Sequence, residues 1–248
     1  LFSRPIGRSL AYCIAGHHAG LPDYSSAEGS GQASLQFQLS QNWDLDKIDG
    51  RIVDLIRASN PQAPPWRFAD GLDLSLWIRM LFSCLVDADF LDTERYMNPE
   101  SFQNRGGYCS IPELLDRFNR YYENLEQHAA DTKVNRIRKW IKEKCVEMAR
   151  TQQGIFSLNV PTGGGKTLSS LAFALEHANR NQLERIIYVI PYTSIIEQNA
   201  DVFRKVMGEA PVVEHHSSIV EDELNLKARL SAENWDAPLI VTTAGQFF

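Results

Sequence analysis

The chain has 248 residues, 44% of them hydrophobic and 23% charged, with a formal net charge of −6. That is the composition of an ordinary globular protein, long enough to bury one large core or two modest ones. No apolar run reaches the roughly 18 residues a membrane span needs. Leu1-Phe2-Ser3-Arg4-Pro5 has no initiator Met and fits neither a signal nor a transit peptide. Cys13, Cys84, Cys109 and Cys145 form no C-x-x-C pair, which argues against a zinc knuckle or a disulfide framework and fits a reducing compartment. Residues 1–130 hold 11 basic and 17 acidic side chains, whereas 131–248 hold 14 of each. An acidic total argues against binding nucleic acid over the whole surface but allows a local basic stripe.

Residues 4–19 read as a helix, with Ile6, Leu10, Ile14 and His17 on one face and Gly20 and Pro22 as the stop. His17-His18 falls at its C-terminal end, His17 on the stripe and His18 about 100° round. Taken alone the pair reads as structural: a cationic His favours a helix C-terminus, and a core-facing one is commonly hydrogen-bonded. From Tyr24 to Asp49 the chain is polar, with Ser25-Ser26 and Gly29-Ser30-Gly31-Gln32, and reads as a surface excursion. Ile48, Ile52, Leu55 and Ile56 mark a short helix that Asn60-Pro61 and Pro64-Pro65 end.

Residues 72–91 carry a stripe of Leu74, Ile78, Leu81 and Leu85, widened by Trp77 and Phe82. Helical phase puts Asp89 about 50° from the stripe centre, facing inward, and Asp87 on the opposite side. Asp87, Asp89 and Asp92 crowd a helix C-terminus, where negative charge is disfavoured. An inward carboxylate there is costly unless a cation or strong donors compensate; a metal ion would, and so would a buried arginine such as Arg79 or Arg95. Residues 98–110 read as loop. Ser110-Ile111-Pro112-Glu113 is a capping box, opening a helix through Leu114, Leu115, Phe118, Tyr121, Tyr122 and Leu125, whose aromatics suit a core. His128 to Asp131 mark a boundary, giving domains 1–129 and 130–248. The next helix, about 132–150, turns Val134, Ile137, Ile141, Cys145 and Met148 to one side. Lys133, Arg136, Arg138, Lys139, Lys142 and Lys144 lie on the other, fitting equally a solvated face and a phosphate-contacting one.

The chain then concentrates its chemistry. Ile155 to Val160 reads as a strand, followed by Pro161-Thr162-Gly163-Gly164-Gly165-Lys166-Thr167 and a helix with Leu168, Leu171, Ala172, Leu175 and Ala178 on one side. Strand, glycine turn and helix form a phosphate cradle: backbone N–H groups converge on an anion at the positive end of the helix. Lys166 then reaches the β/γ-phosphates and the Thr167 hydroxyl holds magnesium, which marks a nucleotide site. Val160 stands where the general pattern has its first glycine. Arg185 to Ile190 is an apolar run suited to a parallel strand buried on both faces. Ser194-Ile195-Ile196-Glu197 is a second capping box, opening a helix through Val202, Phe203 and Val206, and Val212 to Glu214 and Leu239 to Thr242 are further strands. The fold class is therefore α + α/β: a helical portion followed by part of a doubly wound parallel sheet with a P-loop.

Taken together, these stretches resemble the CRISPR-associated helicase-nuclease of type I interference, an HD nuclease fused to a superfamily-two helicase, over nearly the whole length. Tyr12-Cys13-Ile14-Ala15-Gly16-His17-His18-Ala19-Gly20-Leu21-Pro22-Asp23 resembles its double-histidine motif, and Ser83-Cys84-Leu85-Val86-Asp87-Ala88-Asp89 its last aspartate motif, in which Asp89 is the ligand. Pro161 to Thr167 matches motif I. Pro191-Tyr192-Thr193-Ser194-Ile195-Ile196-Glu197-Gln198 matches motif Ia, and Val241-Thr242-Thr243-Ala244-Gly245-Gln246-Phe247-Phe248 a Thr-Thr-x-x-Gln motif. The resemblance implies an HD-type nuclease portion over 1–129 and a RecA-like helicase portion over 130–248. It implies His17, His18 and Asp89 as ligands of a transition metal (Fe, Ni, Mn or Co), with His17, His18, Asp89 and Lys166 catalytic. It further implies that Pro191, Tyr192, Thr193, Thr242, Thr243 and Gln246 contact single-stranded DNA. A guide-RNA surveillance complex is the implied partner, in a prokaryotic cytoplasm with no membrane. The family's remaining histidine and His-Asp motifs are expected upstream of Leu1, and its Asp-Glu motif downstream of Phe248, so the chain is expected to carry half of each active site. Two rival readings are an ATP-dependent helicase with a scaffold of N-terminal helices, and a P-loop module that binds ATP for regulation.

Overall fold

The computed structural model describes residues 5–25, 33–41, 48–58, 67–217, 230 and 232–247, and the chain divides into two compact units, residues 1–99 and 100–248. Residues 1–4, Ser26, the run 29–32, the stop signals Asn60-Pro61 and Pro64-Pro65, and Phe248 lie outside the described residues.

The first unit is helical in its described residues, with α1 (Pro5–Gly16), α2 (Leu35–Ser40), α3 (Gly50–Ala58) and α4 (Gly71–Met97). Helix α1 packs against α4 and α2, and it does so through small residues. Gly7, Ser9, Ala11, Cys13 and Gly16 are buried, while Ile14 of the expected stripe is exposed. Close approach explains the choice. The Cys13 thiol donates to the Ile78 carbonyl at 3.7 Å, and a Cβ on Gly16 would stand 3.3 Å from the Phe82 ring. Burial pushes the Cys13 thiol pKa up. The helix stops at Gly16, three residues short of the expected end, and the Gly20 N–H, at φ +89°, closes the turn on the Gly16 carbonyl at 2.7 Å.

The expected surface excursion contains α2, whose cap Ser34 accepts from the Phe37 N–H at 3.3 Å, and whose Leu35 is buried. Helix α4 opens on Asp70, whose carboxylate accepts the N–H of Leu72 at 2.8 Å and of Asp73 at 3.0 Å. No residue of α4 is buried. Trp77, Ile78, Leu81 and Phe82 are half-covered, whereas Leu74, Leu85, Asp87 and Asp89 are exposed. The inward placement expected for Asp89 is therefore corrected. A twelve-residue α1 covers only part of one side of a twenty-seven-residue helix, and the rest of the circumference stays in water.

Helix α5 (Pro99–Gln103) begins on the last residue of the first unit, and the second unit continues with α6 (Ile111–His128), α7 (Lys133–Ala149), α8 (Lys166–Arg180), β1 (Ile186–Val189), α9 (Thr193–Met207), β2 (Val212–His215), β3 (Leu239–Thr242) and α10 (Ala244–Phe247). Helix α5 occupies part of the stretch expected to be loop. The Ser110–Glu113 box forms as its residues dictate: the Ser110 N–H donates to the Glu113 carboxylate at 2.6 Å and the Glu113 N–H returns to Ser110 Oγ at 3.4 Å. The second box does not form. Helix α9 starts at Thr193, before Ser194, with Tyr192 as a cap that makes no side-chain hydrogen bond.

Strands β1, β3 and β2 lie parallel in that order, with Ile186 and Val212 both in register with Leu239. Central β3 is buried throughout, while Ile187 and Val189 of edge strand β1 are exposed, so the expected burial of β1 on both faces holds for one face only. One core joins Leu114, Phe118, Leu171, Leu175, Ile196, Phe203 and Val241. Because α6 contributes to that core, the compact unit begins at residue 100 rather than at the expected 130.

Residues 155–160 are not a strand. No described strand pairs with them, and a ladder needs a partner. The segment is held by side chains instead: Val160 packs with Ile141, Cys145 and Phe173, and Phe156 lies 4.9 Å from Phe173 and 5.6 Å from His177. Ile155 is fully exposed at 104%.

Candidate functional site

The loop from Val160 to Thr167 is shaped by backbone requirements that only glycine meets. Gly163 and Gly165 both sit at φ +83°, the left-handed region in which a Cβ is strained. At Gly164 a Cβ would stand 2.3 Å from Val160 Cγ1 and 3.0 Å from the Pro161 carbonyl. The Gly164 N–H donates to that carbonyl at 3.1 Å, closing the turn. Gly165 then caps α8 without a side-chain hydrogen bond, so the first-turn N–H groups of a fifteen-residue helix are left for another acceptor. Lys166 is exposed, has no ion-pair partner among the described residues, and stands beside half-buried Thr167.

The loop opens into a cleft of about 1330 Å³. Its walls come from the end of α6 (Tyr121, Leu125, Glu126), the start of α7 (Asn135, Arg136, Arg138, Lys139), the loop itself and α9 (Ile195, Val202, Lys205). Asp131 pairs with Arg136 and Glu126 with Lys139, each at 3.4 Å. Arg138, Lys166 and Lys205 have no such carboxylate among the described residues, so the cleft carries an excess of positive charge and suits a polyanion. The basic face of α7 is thereby divided. Arg136, Arg138 and Lys139 line the cleft, whereas Lys144 pairs with Glu147 at 2.5 Å. Lys142 sits 4.4 Å above the Tyr122 ring, and burial pushes that phenol up to about 12. Tyr121, Glu126 and Lys205 have no signal in the sequence that ties them to the loop, since α6 and α9 reach it only through the fold.

At the C-terminal edge of the sheet, Pro191 and Tyr192 are exposed and Thr193 half-buried just after β1, while Thr243 is half-buried and Gln246 exposed just after the neighbouring β3. Thr242 is different. It is fully buried, and its hydroxyl donates to the His215 carbonyl at 2.7 Å, so it ties β3 to β2 and has no donor left for a ligand. Trp235, at φ +52°, donates its indole N–H to His215 Nδ1 at 2.9 Å and lies nearly parallel to Phe247 at 6.1 Å.

In the first unit, the rings of His17 and His18 stand 3.8 Å apart, and His17 Nδ1–H donates to the Ile14 carbonyl at 2.7 Å. Among the described residues no group of three or more His, Cys, Asp or Glu side chains is placed to hold a metal ion. His17, His18 and Asp89 therefore do not make a three-ligand group by themselves among the described residues. Among the described residues, no helix is long and apolar enough to cross a membrane.

The family model described as Type III restriction enzyme, res subunit, matches residues 121–248, from within α6 through α10. No curated protein matches the chain.

Proposed function

We propose, from the premise that this chain belongs to the type III restriction enzyme res-subunit family, that it is part of an ATP-driven motor on single-stranded DNA whose first unit belongs to a DNA nuclease. Helicase-type architecture and nucleotide binding follow from the family and from a small parallel sheet that fits part of a RecA-like domain. The observation that carries the reading is the glycine turn at the uncapped start of α8, facing a cleft with excess positive charge.

In that cleft the N–H groups of Gly165, Lys166 and Thr167 donate to phosphate oxygens, and the Lys166 ammonium neutralises the charge that moves toward the outer phosphates. The Thr167 hydroxyl would hold magnesium, which when bound supplies further charge neutralisation. Tyr192, Thr193, Thr243 and Gln246 offer hydroxyl and amide groups to a sugar–phosphate backbone along the sheet edge, a sequence-tolerant mode of contact. The order of motifs supports the finer reading of CRISPR type I interference, in which a guide-RNA surveillance complex presents the displaced strand.

Calorimetry of Mg-ATP with residues 1–248 tests the motor reading. Binding is expected without steady phosphate release, and Lys166→Ala removes it. Sustained turnover that Lys166→Ala abolishes would show that these residues already hold the complete hydrolytic site. A second reading, an ATP-dependent helicase whose N-terminal helices are scaffold, also fits the described residues, which hold no three-ligand group. Metal analysis of the full-length protein separates the two: stoichiometric transition metal that His17→Ala removes supports the nuclease, and none supports the scaffold.

A further inference from the structure

One basic side chain of α7 does more than line the cleft. Arg138 donates from Nε to the Gly163 carbonyl at 2.9 Å and from Nη1 to Asn135 Oδ1 at 3.2 Å. Its stem lies over the next glycine but one, so that a Cβ on Gly165 would meet Arg138 Cγ at 3.3 Å. Asn135 is itself fixed: its Nδ2 donates to the Ala130 carbonyl at 2.9 Å, and its backbone N–H donates to Thr132 Oγ1 at 3.2 Å. An unbroken chain of hydrogen bonds thus runs from the α6–α7 connection to the phosphate loop.

The peptide plane between Gly163 and Gly164 is consequently held at both ends. Its N–H is on the Pro161 carbonyl at 3.1 Å and its C=O is on the Arg138 guanidinium. A trans peptide points these two groups in opposite directions, so pinning the oxygen fixes the plane. Between two glycines an unpinned plane turns easily, and a turned plane would set the Gly163 carbonyl against the Pro161 carbonyl and open the turn that leads into α8. Pinning holds the left-handed turn in the form that leaves the Gly165, Lys166 and Thr167 N–H groups for phosphate, before any ligand arrives.

We infer that Arg138, oriented by Asn135, is a positioning residue of the nucleotide site, holding the Gly163–Gly165 turn in its anion-accepting shape. The inference rests on the nucleotide reading of the loop. A planar fork is what the geometry uses, because two acceptors at different angles are served by one rigid group; a lysine supplies the charge without the fork.

The test measures Mg-ATP affinity of residues 1–248 by calorimetry, with thermal unfolding alongside. Arg138→Ala weakens ATP by about tenfold or more, as loss of a charged hydrogen bond does, with the unfolding temperature unchanged. Millimolar guanidinium restores part of the affinity. Arg138→Lys stays weak, and Asn135→Ala gives a smaller loss than Arg138→Ala. Wild-type affinity in Arg138→Ala overturns the inference, as does full recovery by Arg138→Lys, or a loss that guanidinium leaves untouched and that follows a lower unfolding temperature. If the wild-type chain binds no ATP, or binds it equally well with Lys166→Ala, the nucleotide reading itself fails and takes the inference with it.

Discussion

Helices α8 and α4 carry the two candidate centres on opposite kinds of support. Both have apolar stripes at helical spacing. Helix α8 buries Ser169, Leu171, Ala172, Leu175 and Ala178 within fifteen residues, between α6, α7 and the sheet. Helix α4 buries none of its twenty-seven. A stripe states which side of a helix is able to be covered; whether it is covered depends on the layers around it. The phosphate loop therefore stands on a rigid base, and its residues are contiguous in the chain from Val160 to Thr167. The histidine pair and Asp89, some seventy positions apart, depend for any meeting on a helix that its own unit only partly covers.

The largest expected difference is in stability. Leu175 is completely buried in the common core, so Leu175→Ala should cost about 2–5 kcal/mol through lost transfer energy and an unfilled cavity. Leu76 of α4 is 60% exposed, and Leu76→Ala should stay within roughly 0.5 kcal/mol. Urea unfolding of each variant measures this. A large loss from Leu76→Ala would show α4 to be covered in solution and would remove the contrast.

Next in size is the loop itself. Gly164→Ala places a methyl 2.3 Å from Val160 Cγ1 and 3.0 Å from the Pro161 carbonyl, so either Val160 leaves its pocket beside Ile141 and Cys145 or the turn opens. Nucleotide affinity should fall by about tenfold or more, which is roughly 1.4 kcal/mol, with the sheet intact by circular dichroism. Ala at 164 with unchanged affinity would mean that the turn is not the binding form.

How much of this was legible follows the same line. The loop, the apolar positions of α6, α8 and α9, and the Ser110 box are local, and each shows in a few adjacent residues. The Ser194 box carries the same signature and failed, because helix α9 begins at Thr193, two residues before the start that a Ser194 cap would give. The strand expected at 155–160 has suitable residues and no described partner. Arg138 was visible only as one of several cations on α7; its bond to Gly163 spans twenty-five positions, which no periodicity encodes. Thr242 fits its motif, yet its hydroxyl is spent on β2. The domain boundary moved because α6 ends in a polar break, yet its apolar face belongs to the second core.

A smaller effect tests the local capping that holds α6 in place. Hydrogen bonds from the Ser110 N–H and hydroxyl hold the Glu113 carboxyl below its ordinary value of 4.5. A depressed folded-state pKa contributes stability that is fully present above the unfolded pKa and is lost as pH falls through the folded one. The thermal stability of the second unit should thus fall below about pH 4.5, and Glu113→Gln should flatten that part of the profile. Ser110→Ala should cost about 1 kcal/mol as a lost cap. An unchanged acid limb in Glu113→Gln would place the acid sensitivity in other carboxylates.

The smallest structural effect is the most informative about function. Asp87 and Asp89 are both exposed on α4, so Asp87→Asn and Asp89→Asn should each change stability by no more than roughly 0.5 kcal/mol. On stability the two are equivalent. On the nuclease reading they are not: Asp89 follows Ala88 as the implied ligand does, and a ligand cannot be replaced by its amide without loss of the metal's charge partner. In the full-length protein, Asp89→Asn should then abolish metal-dependent cleavage of single-stranded DNA while ATP hydrolysis continues, and Asp87→Asn should spare both. That outcome would require other groups to complete the site with His17, His18 and Asp89, since those described form no three-ligand group. Equal, near-wild-type cleavage by both variants would leave α4 as scaffold and confine the chemistry of this chain to the loop on α8.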